Sequence, residues 1–180
     1  MKMATISMAC NSVSAGLRRF GSALVLTAMC TSAFAVPAEL MDQDSKKGGL
    51  QDFSGQPVIV FVTSLTTMAY LGKWEEAIRS KLPDINTMDI GDIDTSSKFI
   101  LSELSKELEK HVPSGVRIYL DSQNIWAKEY NLNVGEPCVL IFNADHQLVE
   151  KFRGYPKGDL LDQVVGAAGK YFPQKAAAAN

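Results

Sequence analysis

Cysteine is scarce in this sequence: its 180 residues include three, and Cys138 is the only one beyond position 30. Cys10 and Cys30 fall in an N-terminal segment with the pattern of a cleaved leader, so the processed chain keeps one thiol. One thiol excludes an intramolecular disulfide. It also excludes dithiol exchange within the chain, which needs an attacking thiolate and a second, resolving thiol. In an oxidising compartment, a lone thiol is buried, reactive or bonded to another molecule.

The leader pattern covers residues 1–35. Three basic residues and no acidic residue accompany the apolar stretch GSALVLTAMCTSAFA, which ends in an A-x-A sequence at Ala35. A basic region, a short apolar region and a small-residue cleavage site together make a secretory signal peptide. We therefore expect cleavage between Ala35 and Val36, and a periplasmic or secreted product.

Positive charge and long apolar runs are also in short supply. Without the leader, 15 Lys and Arg face 20 Asp and Glu, a net charge of −5. Nucleic acids and anionic lipid surfaces favour positive protein surfaces, so the composition argues against both as partners. No stretch outside the leader approaches the roughly 20 apolar residues that a membrane-spanning helix needs. The 145 residues of 36–180 are enough for one domain with a sizeable core.

Motifs for metals and for common enzyme classes are missing as well. His111 and His146 are isolated, and no His or Cys spacing matches a structural transition-metal site. Asp89, Asp92 and Asp94 form an acidic run, but its spacing and glycine do not match an EF-hand loop. We interpret the run as a solvated loop at a strand end, with Asp94 capping the next helix. No G-x-S-x-G, Walker or Rossmann pattern occurs, and we predict neither a metal nor a cofactor.

Apolar periodicity predicts alternating strands and helices. The run VIVFV at 58–62 is typical of a strand covered on both faces. Spacings of three and four then predict a helix over 70–82, with Trp74 in the core and Pro83 after the helix. INTMDIGDID, VRIYLD and PCVLIF indicate three more strands, each preceded by a helical segment, and the third of these helices carries Trp126 on its apolar face.

The end of the chain predicts a hairpin and a closing helix. A loop of four or five residues joins PCVLIF to the strand QLVEKF, which implies an antiparallel pair. The resulting order, β-α-β-α-β-α-β-β-α, indicates an α/β fold with a largely parallel sheet and one antiparallel edge. We assign this domain to 50–173, with a flexible N-terminal arm at 36–49 and a tail at 174–180.

Three stretches of the sequence carry a resemblance to a known family. LQDFSGQPVIVFVTS (50–64) contains the L-x-D-F-x-G pattern before a central strand, YLDSQNIWAKEYNLNVGEPCVLIFNADHQLVEKFRG (119–154) combines a strand, a helix, a proline and a hairpin, and YPKGDLLDQVV (155–165) opens a final helix. They resemble the redoxin side of the thioredoxin-fold superfamily, which includes TlpA-like and alkyl hydroperoxide reductase-like proteins. The resemblance implies a thioredoxin-like three-layer sandwich: a mixed central sheet with a C-terminal antiparallel hairpin and flanking helices.

A narrower resemblance concerns the middle of the chain. EEAIRSKLPDINTMDIGDID followed by VRIYLDSQNIWAKEYNL is similar to the periplasmic YtfJ-like proteins. That group is poor in cysteine, and its biochemistry is poorly defined.

The sequence departs from the redoxin pattern at the redox site. Aligned on the central strand, Thr66-Thr67-Met68-Ala69 occupies the place of the family's C-x-x-C motif, so both cysteines are absent. A threonine hydroxyl neither attacks nor resolves a disulfide, which excludes thioredoxin-type oxidoreductase activity for the isolated chain. The resemblance also places Pro137 at the family's cis-proline, where the backbone before the proline pairs with an extended partner chain.

Two candidate sites have alternative interpretations. Thr66 and Thr67 either cap the following helix, as Ser and Thr commonly do, or bind an anion or small ligand there. Cys138 is either a small apolar core residue or a peroxide-sensing or mixed-disulfide thiol beside the proline. The neighbouring Glu136 raises a thiol pKa, which favours the buried, inert interpretation. A disulfide-linked dimer through Cys138 is a third alternative.

Two functional hypotheses follow. In the first, the chain is an exported thioredoxin-like binding or accessory protein without dithiol redox activity. It contacts a protein or peptide at the proline edge, through Thr66, Thr67, Glu136 and Pro137. In the second, it is a single-cysteine thiol peroxidase or thiol transferase that uses Cys138 with an external resolving thiol. The sequence leaves the oligomeric state open.

Overall fold

The structure of the protein is a computed structural model that describes residues 39–93, 95, 98–111 and 116–172. The whole of the predicted leader and of the predicted tail, and the Asp94 cap, lie outside these residues. Within the described ranges no helix has the length and apolar character needed to cross a membrane.

The described strands form a single mixed sheet in the order β2-β1-β5-β4-β3-β6-β7. The three central strands β3, β4 and β5 are parallel, and the other neighbouring pairs are antiparallel. This confirms the predicted mixed sheet and its C-terminal hairpin, which joins β6 to β7 through 143–147. The prediction of a largely parallel sheet with one antiparallel edge is wrong, because the strands at both edges of the sheet pair antiparallel. The strands are β1 (Leu40–Asp42), β2 (Lys47–Gly48), β3 (Val58–Ser64), β4 (Thr87–Asp92), β5 (Ile118–Asp121), β6 (Cys138–Phe142) and β7 (Leu148–Arg153).

Helices cover both faces of the sheet. They are α1 (Leu71–Arg79), α2 (Lys98–His111), α3 (Ile125–Glu129) and α4 (Gly158–Ala168), with short 3-10 helices at Leu50–Phe53 and Met68–Tyr70. Apolar residues of α1, α2 and α4 pack on one face of the sheet, and those of α3 and the first 3-10 helix pack on the other. Trp74 and Trp126, both predicted core residues, lie in these two layers. The result is the expected three-layer sandwich.

The first five residues of β3, 58–62, are all apolar because both faces of the strand are covered. Ile59 and Phe61 point to the α1 side, whereas Val58, Val60 and Val62 point to the α3 side. Alternate residues of a strand face opposite ways, so a strand at the centre of a sandwich needs an apolar residue at every position.

The expectation of a flexible arm over 36–49 is wrong for residues 40–48, which form β1 and β2. Strand β1 pairs with β5, with Met41 opposite Leu120. Asp42 is buried and accepts a hydrogen bond from Arg117 Nε at 2.7 Å. These partners lie far away along the chain, so the segment's local polarity gave no sign of them.

Candidate functional site

The carboxyl end of β3 and the amino end of β6 form one end of the sheet, which we call the proline end. Val62 lies opposite Cys138 in the antiparallel register. The pairing ends there, two residues before Ser64 ends β3 and directly after Pro137. The turn that carries Thr66 and the segment that leads into Pro137 therefore lie at the same end of the sheet.

The hydroxyl groups of the turn bond to one another. Thr67 Oγ1 accepts the backbone N–H of Ser64 at 3.0 Å, and Ser64 Oγ lies 2.9 Å from Thr66 Oγ1 and 3.1 Å from Thr67 Oγ1. Neither the 3-10 helix nor α1 has a side-chain capping bond, so the capping prediction is wrong. The reason is the 3-10 helix at Met68–Tyr70, which separates Thr67 from the start of α1. The helix predicted over 70–82 is accordingly shorter.

Met68, the third residue of the stretch 66–69 that we aligned with the redoxin C-x-x-C pattern, packs against the core. It is half-buried against the apolar cluster on the α1 side. A Cβ atom added to Gly91 would lie 2.6 Å from Met68 Cε. Glycine at 91 therefore makes room for the methionine, whereas Thr66 and Ala69 stay exposed.

The peptide bond before Pro137 is trans, as are all the described peptide bonds. This corrects the cis isomer that the resemblance implied. The trans form is intrinsically favoured by about 0.5–1 kcal/mol before proline. The Pro137 carbonyl accepts the N–H of Gly154 at 2.8 Å, and Arg153 Nε lies 3.1 Å from Glu136 Oε2. Both contacts attach the proline segment to the end of β7.

Cys138 is enclosed at the start of β6, with 2% of its surface exposed. Its Sγ lies 3.6 Å from the carbonyl oxygens of Asn133 and Glu136. Burial raises the pKa of the thiol, and the positive charges of Arg153 and Lys151 only partly oppose this. Burial, and not the neighbouring Glu136, is thus the main cause of the raised pKa of Cys138. A raised pKa leaves little thiolate at neutral pH, and the thiolate is the reactive form.

A cavity of about 260 Å³ adjoins this thiol. It lies on the side of β6 that faces β7. Its lining contains both basic residues whose charges act on Cys138, and consists of Asn131, Leu132, Asn133, Cys138, Lys151, Phe152 and Arg153.

Sequence reasoning missed three side chains at the proline end. Leu65 is 47% exposed, an apolar residue in a polar turn. Tyr70 and Tyr155 meet edge to face with their ring centroids 4.6 Å apart. This contact joins the start of α1 to the loop after β7. The available signal was an isolated leucine in TSLTT and a tyrosine directly after the glycine that follows β7.

Comparison with known proteins identifies the architecture. No family model and no curated protein matches the sequence. Among solved structures, the exposed lipoprotein thioredoxin Etrx1 of Streptococcus pneumoniae shares 17% identity at a TM-score of 0.55, covering 73% of this chain and 98% of its own. A putative protein disulfide isomerase from Bacteroides thetaiotaomicron shares 16% at 0.55, covering 77% and 87%. Thiol peroxidase from Chromobacterium violaceum shares 14% at 0.54, covering 74% and 83%.

The chain has the thioredoxin fold. The predicted fold class and the resemblance to redoxins are confirmed at that level. In this thioredoxin fold, residues 65–70, between β3 and α1, contain no cysteine.

The acidic run occupies a different place in this thioredoxin fold from the solvated loop that we predicted. Asp89 and Asp92 belong to β4 and are 5% and 4% exposed. They are buried because β4 lies between β3 and β5 in the sheet, and Asp89 faces the side of α1. Burial and the nearby Glu75 raise the pKa of Asp89 to about 7, against the opposing effect of Arg79. In the described part of the chain, no group of three or more potential ligands is arranged for a metal ion.

Proposed function

We propose that this protein is an exported, thioredoxin-fold binding protein that holds an extended segment of a partner protein at the proline end. The observation that carries the proposal is the state of the thiol. The processed chain has Cys138 alone, and its side chain is buried beneath the proline segment with a raised pKa. The position that faces a partner in redoxins carries threonine.

The proline end offers chemistry suited to a peptide. Leu65 and Thr66 are exposed beside the segment 133–136, which precedes the first paired residue of β6. Glu136 and Arg153 place two half-exposed charges at the rim. An exposed apolar side chain next to opposite charges can contact the apolar and charged side chains of an extended segment that crosses this end of the sheet.

Export is part of the proposal. Its support is the leader pattern of residues 1–35, and one structural neighbour is itself described as an exposed lipoprotein. N-terminal sequencing of the processed protein is expected to begin at Val36. An N-terminus at Met1 in the exported fraction would contradict the cleavage.

Photo-crosslinking tests the binding surface. The reporter replaces exposed Thr66 with p-benzoylphenylalanine, and the control places it at exposed Asp145, in the hairpin turn at the other end of the sheet. The purified protein is mixed with proteins exported by the same cells. We expect crosslinked products from position 66 and few from position 145. Equal yields at both positions would rule out the proline end as the binding surface.

A second candidate function is a thiol peroxidase or thiol transferase that uses Cys138. The cavity beside the thiol and the two basic residues lining it favour this candidate, and one structural neighbour is a thiol peroxidase. Alkylation of the native protein with iodoacetamide at neutral pH separates the candidates. Labelling only after addition of denaturant excludes the enzyme, whereas fast native labelling with loss of the thiol to peroxide supports it.

A further inference from the structure

A second cavity lies at the opposite end of the sheet, which we call the amino end. The parallel pairing of β3 and β4 runs from Ile59 with Thr87 to Ser64 with Asp92, so Thr87 and Asp89 are on the side away from the proline end. The cavity has a volume of about 570 Å³, within the size range of small-molecule sites. Its lining consists of Asp52, Phe53, Glu75, Arg79, Thr87, Met88, Asp89, Val116, Arg117 and Tyr119.

The first basic residue of the cavity is already bound. Arg79 Nε donates to Glu75 Oε1 at 3.0 Å, Nη1 donates to the Ile85 carbonyl at 3.2 Å, and Nη2 donates to Thr87 Oγ1 at 2.7 Å. The same Glu75 oxygen accepts the Thr87 hydroxyl at 2.8 Å. This guanidinium is held by the protein, and its three nitrogens donate to groups other than Asp89.

The second basic residue is bound as well. Arg117 Nε donates to Asp42 at 2.7 Å, and Nη2 donates to the Lys47 carbonyl at 3.2 Å. Its Nη1 lies 3.6 Å from Asp52 Oδ2, and the guanidinium lies over the Tyr119 ring, 4.9 Å from the centroid. Arg117 therefore serves two acids of its own.

Asp89 has no such partner. It lines the cavity, and 5% of its surface is exposed. Its Oδ1 accepts no hydrogen bond from any described residue. The charged groups that act on it come from α1: Glu75 repels its charge, and Arg79 attracts it. A buried carboxyl without a donor or a cation is costly, and a ligand that supplies both offsets this cost.

We propose that the amino-end cavity binds a small organic amine, with its ammonium group against the carboxyls of Asp89 and Glu75 and its alkyl part against the apolar residues of the lining. These are Phe53, Met88 and Val116. With Asp89 ionised, the lining carries three acidic and two basic side chains, which favours a cation over an anion. An organic cation fits better than a metal ion, because no three ligating side chains converge within the described residues.

Binding of an ammonium group is coupled to a proton. The pKa of Asp89 is raised to about 7, so at pH 7 the free protein holds roughly half a proton there. The ammonium favours the ionised carboxyl, and its binding releases that proton to the buffer. At pH 9 the carboxyl is already ionised, and the release disappears.

Isothermal titration calorimetry of the processed protein tests the proposal. The probes are 1,4-diaminobutane and n-butylammonium, with n-butanol as the uncharged match. Asp89→Asn keeps the shape of the side chain and removes its charge, and Asp145→Asn is the surface control. We expect both amines to bind the wild type and the control. We expect their affinity for Asp89→Asn to be lower by a factor of about ten or more. At pH 7 the heat should differ between buffers of different ionisation enthalpy.

Three results would overturn the proposal. The first is absence of binding by either amine to the wild type. The second is n-butanol binding as tightly as n-butylammonium, which would make the cavity a purely apolar pocket. The third is equal amine affinity of Asp89→Asn and the wild type. Proton release is measured on the wild type alone, so the test holds even if the Asn variant folds poorly.

Discussion

The proline end and the amino end of this sheet treat polar groups in opposite ways. At the proline end, the hydroxyls of Ser64, Thr66 and Thr67 satisfy one another, and Cys138 is enclosed between two carbonyl groups. At the amino end, two arginines and several acids form buried or half-buried pairs, and Asp89 is left over. The charges at the rim of the proline end are paired with each other, whereas the amino end holds a buried carboxyl oxygen with no hydrogen-bond donor among the described residues.

The turn after the central strand and the position of unbalanced charge therefore lie at opposite ends of the sheet. Redoxins act through cysteines in the turn after their central strand, and here that turn has neutral, mutually bonded side chains. A buried acid without a partner marks a place where a ligand gains affinity by supplying the missing charge. In this thioredoxin fold, that place is at the other end of the same strands.

The largest effect is expected from breaking the packing that builds the proline end. Trp74 is fully buried, and its Nε1 donates to the Gly154 carbonyl at 3.1 Å, which joins α1 to the loop after β7. Trp74→Ala removes the ring and leaves a cavity, so we expect a loss of about 3–5 kcal/mol in the free energy of unfolding. Urea denaturation followed by circular dichroism measures it.

Two matched variants sharpen this result. Trp74→Phe keeps much of the ring but loses the bond to Gly154, and we expect a smaller loss from the hydrogen bond, about 1 kcal/mol. Phe99 in α2 is 75% exposed, so Phe99→Ala should change stability by less than about 0.5 kcal/mol. A loss for Trp74→Ala no larger than that for Phe99→Ala would contradict the packing described for α1.

The next effect concerns the amino end and depends on pH. Burial and Glu75 raise the pKa of Asp89 from 3.8 to about 7. Between these values the unfolded chain has lost the proton and the folded chain keeps it, so this group lowers stability as pH rises, by at most about 1.4 kcal/mol per pH unit. Asp89→Asn cannot ionise. We expect the variant to gain stability over the wild type as pH rises from 4 to 7, reaching about 4 kcal/mol by pH 8.

Urea titrations at several pH values measure the difference between the two proteins, in which the contributions of other titrating groups cancel. Asp145→Asn, altered in the exposed hairpin turn, should show a difference that does not vary with pH in this way. A difference for Asp89→Asn that stays constant from pH 5 to 8 would show that the carboxyl does not titrate there, and the contrast between the two ends would weaken.

The sequence predicted the framework well because the framework depends on local pattern. The continuous apolar run of β3 and the repeat of apolar residues in α1 reflect how each element is covered, so the local order of apolar residues identifies them. Residues 40–48 were mistaken for an arm because their structure depends on distant partners. Leu120 and Arg117 hold β1 in place, and nothing in a short polar segment indicates either contact.

The two ends were predictable to different degrees. The proline end could be located because Pro137 and the Thr66 turn stand at fixed places in the redoxin pattern that the sequence resembles. The cis isomer expected before Pro137 and the helix capping expected of the threonines were wrong. The amino end could not. Asp is disfavoured in strands, so Asp89 and Asp92 indicated a loop, and only the tertiary packing of β4 places them in the interior.

The smallest change in stability is expected at the rim of the proline end, where Glu136 and Arg153 form a half-exposed pair at 3.1 Å. Solvent screens such a pair, so Glu136→Gln should change the free energy of unfolding by less than about 1 kcal/mol. Arg153→Gln breaks the same pair but keeps the carboxyl, which makes it the matched control. If Glu136 contacts the partner directly, crosslinking from position 66 falls for Glu136→Gln and not for Arg153→Gln. Equal yields for both variants and the wild type would mean that the charge of Glu136 takes no part in recognition. Specific electrostatic recognition would then rest with the amino end alone.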